Sequence, residues 1–321
     1  MQGLVERMLL RAKELLADGT VNRVLGWKKG EFSYDVSPAV FYNEEELENF
    51  VYNGFCGANL CKYLVQETKK EGKILVFLKP CDTYGFNQLI KEHRIVKDNV
   101  YAIGIECQGK LDIEKIYAKN VGFIKTIGGD LSKVVINDNI EIDRNEVKLE
   151  KCLVCEKTHK AGDEFIVDNE KQAPSKDRFE MVEKLEKMTT EEKFAFWKNE
   201  LSKCIRCNAC RNVCPACTCT KCVFDNDDST IASKANANEF EEKLFHIIRS
   251  FHVAGRCVDC GECSRVCPQN IPLHLLNRKY IKDFNELYGE YQAGEDTDSR
   301  GPLTSYDTED VDPSEIFGGN K

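Results

Sequence analysis

The sequence predicts an α/β domain followed by a small α-helical domain. Three observations lead there. From Met1 to about Val167, short β-rich runs alternate with helical spacings. Between Cys204 and Pro268 one cysteine-rich run occurs twice. Between the two copies, residues 238–252 carry apolar side chains at helical spacing. With 321 residues, 42% of them hydrophobic, the chain has material for one larger and one smaller core.

Leu4, Val5, Met8, Leu9, Ala12, Leu15 and Leu16 fall on one helical face, and Gly19 follows as a C-cap. Strands are expected at 24–27, 73–78, 100–105 and 134–136, with helices at 44–52 and 84–92. That alternation implies a sheet at least partly parallel. Such sheets place ligands where strands end, here near Lys79-Pro80-Cys81-Asp82 and after Ile105. Residues 1–167 are thus read as the α/β domain and 168–203 as a charged helical linker. In the linker, Thr189 and Glu192 have the spacing of a capping box, opening a helix that runs to Ser202. Residues 204–292 form the second domain, whose joining helix carries Phe240, Leu244, Ile247, Ile248 and Phe251, with a further helix at 273–288. Residues 293–321 are acidic and rich in Gly, Asp and Ser, and are read as a tail extended over a neighbour or disordered.

The net charge of −9 offers no basic stripe for nucleic acid. No run of eighteen apolar residues is present, and the first residues thread charges through an amphipathic helix, unlike a signal peptide. The expectation is a soluble, cytoplasmic protein. Its 17 cysteines are odd in number and clustered, which in a reducing compartment points to metal ligation rather than disulfides.

Cys204-Ile-Arg-Cys207-Asn-Ala-Cys210-Arg-Asn-Val-Cys214-Pro215 is a C-x2-C-x2-C-x3-C-P run, and Cys257, Cys260, Cys263, Cys267 and Pro268 repeat it. Three thiols on a tight loop reach three irons of one cubane. The fourth, expected to begin a helix pointing elsewhere, ligates the other cluster in two-cluster ferredoxins. The domain is therefore read as ferredoxin-like, with Cys204, Cys207, Cys210 and Cys267 on one 4Fe–4S cluster and Cys257, Cys260, Cys263 and Cys214 on the other. Structural zinc would call for two C-x2-C pairs, without the third cysteine and the proline. Cys217, Cys219 and Cys222 follow directly, either as thiols packed beside a cluster or with one of them replacing Cys214.

Four further cysteines stand where an α/β domain brings turns together. Cys81 and Cys107 each end a strand, and Cys152 and Cys155 form a C-x2-C pair. They would complete a third cluster, although scattered thiols are also ordinary core residues. Cys56 and Cys61 compete for a place; Cys61 sits in a helical, apolar context and reads as core.

Lys79-Pro-Cys81-Asp82, the Ile105-Glu-Cys107-Gln-Gly109 turn and Cys152-x-x-Cys155-Glu resemble the beta-subunit family of deazaflavin (coenzyme F420)-dependent hydrogenases and formate dehydrogenases. The resemblance runs from about Val24 to the end. Phe251-His-Val-Ala-Gly-Arg-Cys257 is similar to the same family and to iron–sulfur subunits of heterodisulfide reductases, and the Cys-Pro-x-Cys-x-Cys-x-x-Cys element at 214–222 to the formate dehydrogenase beta subunits. The resemblance implies a third cluster on Cys81, Cys107, Cys152 and Cys155, and FAD in the N-terminal domain. It also implies electron passage between a partner's metal site and a two-electron carrier.

No G-x-G-x-x-G fingerprint supports the flavin; Gly128-Gly129-Asp130 and residues 54–57 offer flexible backbone but also read as turns. His93, His159, His246, His252 and His274 are dispersed and read as surface or packing residues. Two functions follow. One is an electron-transfer subunit of a redox complex, whose partner is a flavoprotein or a metal-containing dehydrogenase or hydrogenase holding the primary catalytic site. The other is a self-contained flavin and iron–sulfur reductase of a soluble carrier. A scaffold whose clusters only stabilise the fold would need fewer metals.

Overall fold

The structure, a computed structural model, describes residues 2–119, 121–169, 173–225 and 239–302. Its centre is β3 (Ile74–Leu78), five apolar residues all buried, as expected of a strand covered on both faces. β3 runs parallel to β1 (Arg23–Lys29) on one side and to β4 (Val100–Ile105) on the other. β2 (Val36–Phe41) pairs antiparallel with β1, and the short β8 (Glu164–Ile166) parallel with β4, giving the order β2-β1-β3-β4-β8. The sheet is mixed and mostly parallel, in line with the alternating pattern of the sequence.

α1 (Gln2–Ala17) contributes Met8, Ala12 and Leu15 to the core around this sheet. α2 (Cys61–Glu67) and α3 (Pro80–Lys91) add Leu64, Phe86 and Leu89. After β4 come α4 (Ile113–Tyr117) and a separate antiparallel sheet of β5 (Ile127–Gly129), β6 (Lys133–Ile136) and β7 (Ile140–Asp143). Val134 and Ile136 alternate inward there and meet Ile116 and Val147 in a small core of their own. α5 (Glu150–Leu153) then leads back toward β8.

The rest of the chain is helical. α6 (Glu180–Glu186) packs Val182 and Leu185 on Leu275. α7 (Thr190–Ser202) opens with the expected capping box: Glu192 N donates to Thr189 Oγ1 at 3.2 Å and Thr189 N to Glu192 Oε2 at 2.8 Å. α8 (Ala209–Asn212), α9 (Glu239–His252), α10 (Glu262–Arg265) and α11 (His274–Tyr288) complete it. Among the described residues no helix is long and apolar enough to cross a membrane.

Three expectations are corrected. Residues 44–52 hold only a 3-10 turn at Glu46–Asn49. Beyond it Val51 N donates to Trp27 O at 2.8 Å and the Phe50 ring fills the space over Gly26, so pairing with β1 overrides the helical spacing. α3 starts at Pro80, earlier than residue 84, because proline suits the first helical position and the Asp82 carboxylate accepts Lys79 N at 3.2 Å. Cys81 therefore lies on the first turn of a helix, not at the end of a strand. Lastly, Cys214 and Cys267 do not begin helices; they follow the ends of α8 and α10.

Of the acidic tail, residues 303–321 lie outside the described residues. Residues 293–302 run over α3: Ala293 is buried beside Tyr84 and Val258, Lys160 pairs with Glu295 at 2.6 Å and Lys91 with Asp296 at 3.5 Å. Gly294 at φ 76° lies so close to Tyr84 O that a Cβ would be only 1.9 Å away. The neighbour over which this stretch extends is the chain's own N-terminal unit.

Candidate metal centres

The two cysteine loops fold alike because the same two positions turn left-handed. Arg206 and Asp259, each just before the second cysteine, have φ of 53° and 52°; Asn208 and Gly261, just after it, have 60° and 67°. Such turns curl a backbone around a guest and aim its N–H groups inward. At Gly261 a Cβ would also fall 2.5 Å from Lys151 Cβ. Each loop closes into a one-turn helix, α8 or α10, that carries the third cysteine.

Burial and charge distribute the eight thiols. Cys210 and Cys263 are buried, Cys207 is exposed, and Cys204 and Cys267 pack with Cys210 and Cys263 in one apolar cluster. Burial pushes Cys257 up to about 12, with Asp259 and then Cys214 adding to it. Burial likewise raises Cys260, helped by Glu262 and Cys214, and lifts Cys263 to about 11 against the pull of Arg249. Cys214 thus acts on all three thiols of the other loop. The Cys210 thiol is raised by burial, opposed by Arg249, and raised further by Cys267 and Cys207. Each loop's fourth cysteine stands within the electrostatic reach of the opposite loop. Cys214 itself is held below the ordinary thiol value, chiefly by a hydrogen bond from the Cys217 thiol.

In the N-terminal unit, Cys81, Cys107, Cys152 and Cys155 line one cavity. Leu78 and Gly104 are paired in register, so β3 and β4 end side by side and deliver Cys81 and Cys107 to the same edge of the sheet. Cys152 comes from α5, and its Sγ accepts Lys110 N at 3.3 Å. Lys79, Lys110, Lys148 and Lys151 line the cavity as well. Lys79, 1% exposed, pairs with the fully buried Asp82 at 2.7 Å and lies 4.4 Å above the Trp27 ring. Burial works against the Lys79 ammonium, but Asp82 and Cys81 outweigh it and raise its pKa. Burial lowers Lys110, with Cys107 and Cys56 opposing.

These residues fit iron–sulfur clusters on two counts. Thiols so desolvated release their protons readily only to a cation that binds them, and buried cations require negative charge beside them. Arg249, 5% exposed among Cys214, Cys263 and Cys210, has an Nε with no hydrogen-bond partner, which suits a sulfide or thiolate acceptor. Among the described residues no three His, Cys, Asp or Glu side chains converge to clasp a single ion. The thiols line walls instead, and a cubane binds each of its ligands to a separate iron.

The remaining cysteines go elsewhere. Cys61 is buried in the main core with Sγ 2.9 Å from Asp82 O, as the sequence suggested. Cys56 is in the same core, its Sγ accepting Asn53 N at 3.3 Å, and it does not line the four-thiol cavity. Cys217, Cys219 and Cys222 line a different cavity, of about 660 Å³, together with Lys62, Arg211 and Arg249. Of the histidines, His246 does more than pack: Nε2 lies 3.2 Å from Cys204 Sγ. His159 Nε2 meets Ile105 O at 3.1 Å and His274 Nδ1 meets Ser264 Oγ at 2.8 Å. The cations around the thiols gave no signal in the sequence, because lysine and arginine usually mark a solvated surface.

Of the two glycine segments weighed as flavin contacts, Gly128 has open space around it, and Gly54, Gly129 and Asp130 line a cavity of about 270 Å³ with Cys107. Gly128 and Gly129 belong to β5, and Asp130 caps its own turn by accepting Ser132 N and Lys133 N at 2.7 and 3.0 Å. A Cβ at Gly54 would meet Leu111, and one at Gly57 would meet Leu149 and Arg265. No residues are assigned to FAD.

A family model described as 4Fe-4S dicluster domain matches residues 200–271. The F420-dependent formate dehydrogenase subunit beta of Methanocaldococcus jannaschii is 27% identical, over 84% of this chain and 87% of that protein. The F420-dependent formate dehydrogenase 1 subunit beta of Methanococcus maripaludis is 26% identical, over 67% and 72%. A chain of the F420-reducing [NiFe] hydrogenase complex from Methanosarcina barkeri superposes with a TM-score of 0.38 at 12% identity, over 48% of this chain and 62% of that one. The chain is thus similar along most of its length to beta subunits of F420-dependent formate dehydrogenases, and its residues 200–271 match a 4Fe–4S dicluster domain.

Proposed function

We propose that this chain relays single electrons as the beta subunit of a multi-subunit oxidoreductase, a formate dehydrogenase, a hydrogenase or a heterodisulfide reductase-like flavoprotein complex. The observation that carries the reading is the cysteine loop folded twice with the same left-handed turns, together with a four-thiol cavity in the α/β unit. Cys204, Cys207, Cys210 and Cys267 would hold one 4Fe–4S cluster, and Cys257, Cys260, Cys263 and Cys214 the second. Cys81, Cys107, Cys152 and Cys155 would hold a third. Bound clusters supply one-electron steps, with potentials set by burial, net charge and hydrogen bonds to sulfur.

The protein's own part is to bury the thiols, to set Lys79, Lys110, Lys148, Lys151 and Arg249 beside them and to expose Cys207 at one end. Formate or hydrogen chemistry belongs to partner subunits. F420, the carrier for which the relatives are named, would meet the single-electron route through a flavin, which turns two single electrons into one hydride.

The test is iron, sulfide and flavin analysis of the anaerobically purified full chain, with EPR of its reduced state. About twelve irons per chain mean three cubanes, and about eight return the N-terminal thiols to ordinary cysteines. Stoichiometric flavin with carrier reduction by the chain alone would replace the relay with a self-contained reductase.

A further inference from the structure

The α/β thiols and the second cysteine loop share a wall. Cys81, Cys152, Cys155 and Cys260 line one cavity of about 440 Å³, and Cys204, Cys207 and Cys210 of the first loop do not reach it. Lys151 spans the junction. It precedes Cys152 on α5, its Nζ donates to Gly57 O at 3.0 Å, and it pairs with Glu262, which precedes Cys263 on α10. Glu262 also accepts Arg265 Nε at 2.7 Å, Arg265 Nη2 at 2.8 Å and Asn59 N at 3.2 Å. The side chains of Lys151 and Glu262 are 9% and 0% exposed, so their charges act with little screening by water. At the other end of the module, Cys207 and Ile205 are open to solvent.

We propose that the N-terminal site exchanges electrons with the cluster on Cys257, Cys260, Cys263 and Cys214, that Lys151 and Glu262 are positioning residues tuning both sides of that step, and that the Cys204 loop is the outlet. This rests on the third cluster proposed above. In the step one electron leaves a reduced centre and enters an oxidised one; no bond forms or breaks and no proton is required. Lys151, Glu262 and Arg265 together carry one net positive charge between the two sites. Removing the ammonium takes that charge away and disfavours the extra electron on both. Removing the carboxylate charge does the reverse. Of the first-loop cluster's ligands only Cys267 lines a cavity with Lys151, so that cluster is expected to feel either change least.

The experiment is an EPR-monitored redox titration of the full chain in unaltered, Lys151→Met and Glu262→Gln forms, with signals assigned through Cys155→Ala and Cys207→Ser. Lys151→Met is expected to lower two midpoints together, those of the N-terminal and Cys257-loop clusters, and Glu262→Gln to raise the same two. Glu262→Gln keeps the shape and one of the two acceptor oxygens, so it carries the test if Lys151→Met does not fold. Twelve irons with a shift in one cluster only, in all three alike or in none overturn the proposal. Eight irons in the unaltered chain overturn the three-cluster reading itself, and this route with it.

Discussion

Arg206 and Asp259 occupy the same place in the two cysteine loops and bend the backbone the same way, with φ of 53° and 52°. The shared turn leaves their side chains to do different work. The Arg206 guanidinium lies 4.3 Å from the centre of the Phe245 ring, packed against the core of the C-terminal unit. The Asp259 carboxylate takes Arg178 Nε at 2.8 Å and Arg278 Nη2 at 2.9 Å.

Asp259 is therefore a fastening of its loop. Burial works to raise its pKa, but Arg278, Arg178 and Lys157 hold it well below the usual carboxylate range. Asp259→Ala leaves Arg278, 3% exposed, without its partner and is expected to cost about 3–5 kcal/mol. Denaturant unfolding of the full chain measures it; Asp259→Asn, which keeps one of the two acceptor oxygens, should lose less.

Iron stoichiometry separates the cysteines. Cys155→Ala is expected to remove about four of about twelve irons, whereas Cys61→Ala should keep them all and cost about 1 kcal/mol for a lost hydrogen bond. Iron and acid-labile sulfide assays read both. A full iron complement in Cys155→Ala would remove that thiol from the site.

Arg249 faces thiols of both loops, and burial opposes its charge while Cys214, Cys263 and Cys210 favour it. Arg249→Met is expected to lower both dicluster midpoints by on the order of 50–100 mV, equivalent to roughly 1–2 kcal/mol for one electron. Arg249→Lys should recover part of that shift. Unchanged potentials in the methionine variant would show that the guanidinium serves packing alone.

Acid sensitivity should trace in part to His274. Burial, and then Arg278, push its imidazole down to about 4, from an ordinary value near 6.5. The unfolded chain therefore binds the proton first, and stability falls as pH drops from about 6.5 to about 4. The loss is expected to be about 1 kcal/mol, reduced by partial exposure. Melting curves across that window should slope less steeply for His274→Asn, and an equal slope would rule the group out.

Much of this was legible in the chain. α1, α7, α9 and α11 stand where periodicity, Gly19 and the Thr189–Glu192 pair put them, because capping and amphipathic burial act within a few residues. The start of α3 is not legible in the sequence because Lys79 is a buried cation whose partner Asp82 has to be seen in place. The 3-10 turn at Glu46–Asn49 looks like a longer helix in the sequence because pairing of residues 50–51 with β1 is a non-local contact.

The repeated C-x2-C-x2-C-x3-C-P spacing determined by itself that two loops of this chain are shaped for iron–sulfur clusters, since three thiols on one tight loop are fixed by local geometry. What only the tertiary structure decided is the company they keep. The ends of β3 and β4 bring Cys81 and Cys107 to the cavity that Cys152 and Cys155 also line, and the packing of α5 on α10 joins Lys151 to Glu262. Charges 111 positions apart carry no mark in the sequence of being neighbours, and the four thiols are grouped there only through a family resemblance. Their meeting is settled by how a parallel sheet aligns its strand ends and how buried charges find partners.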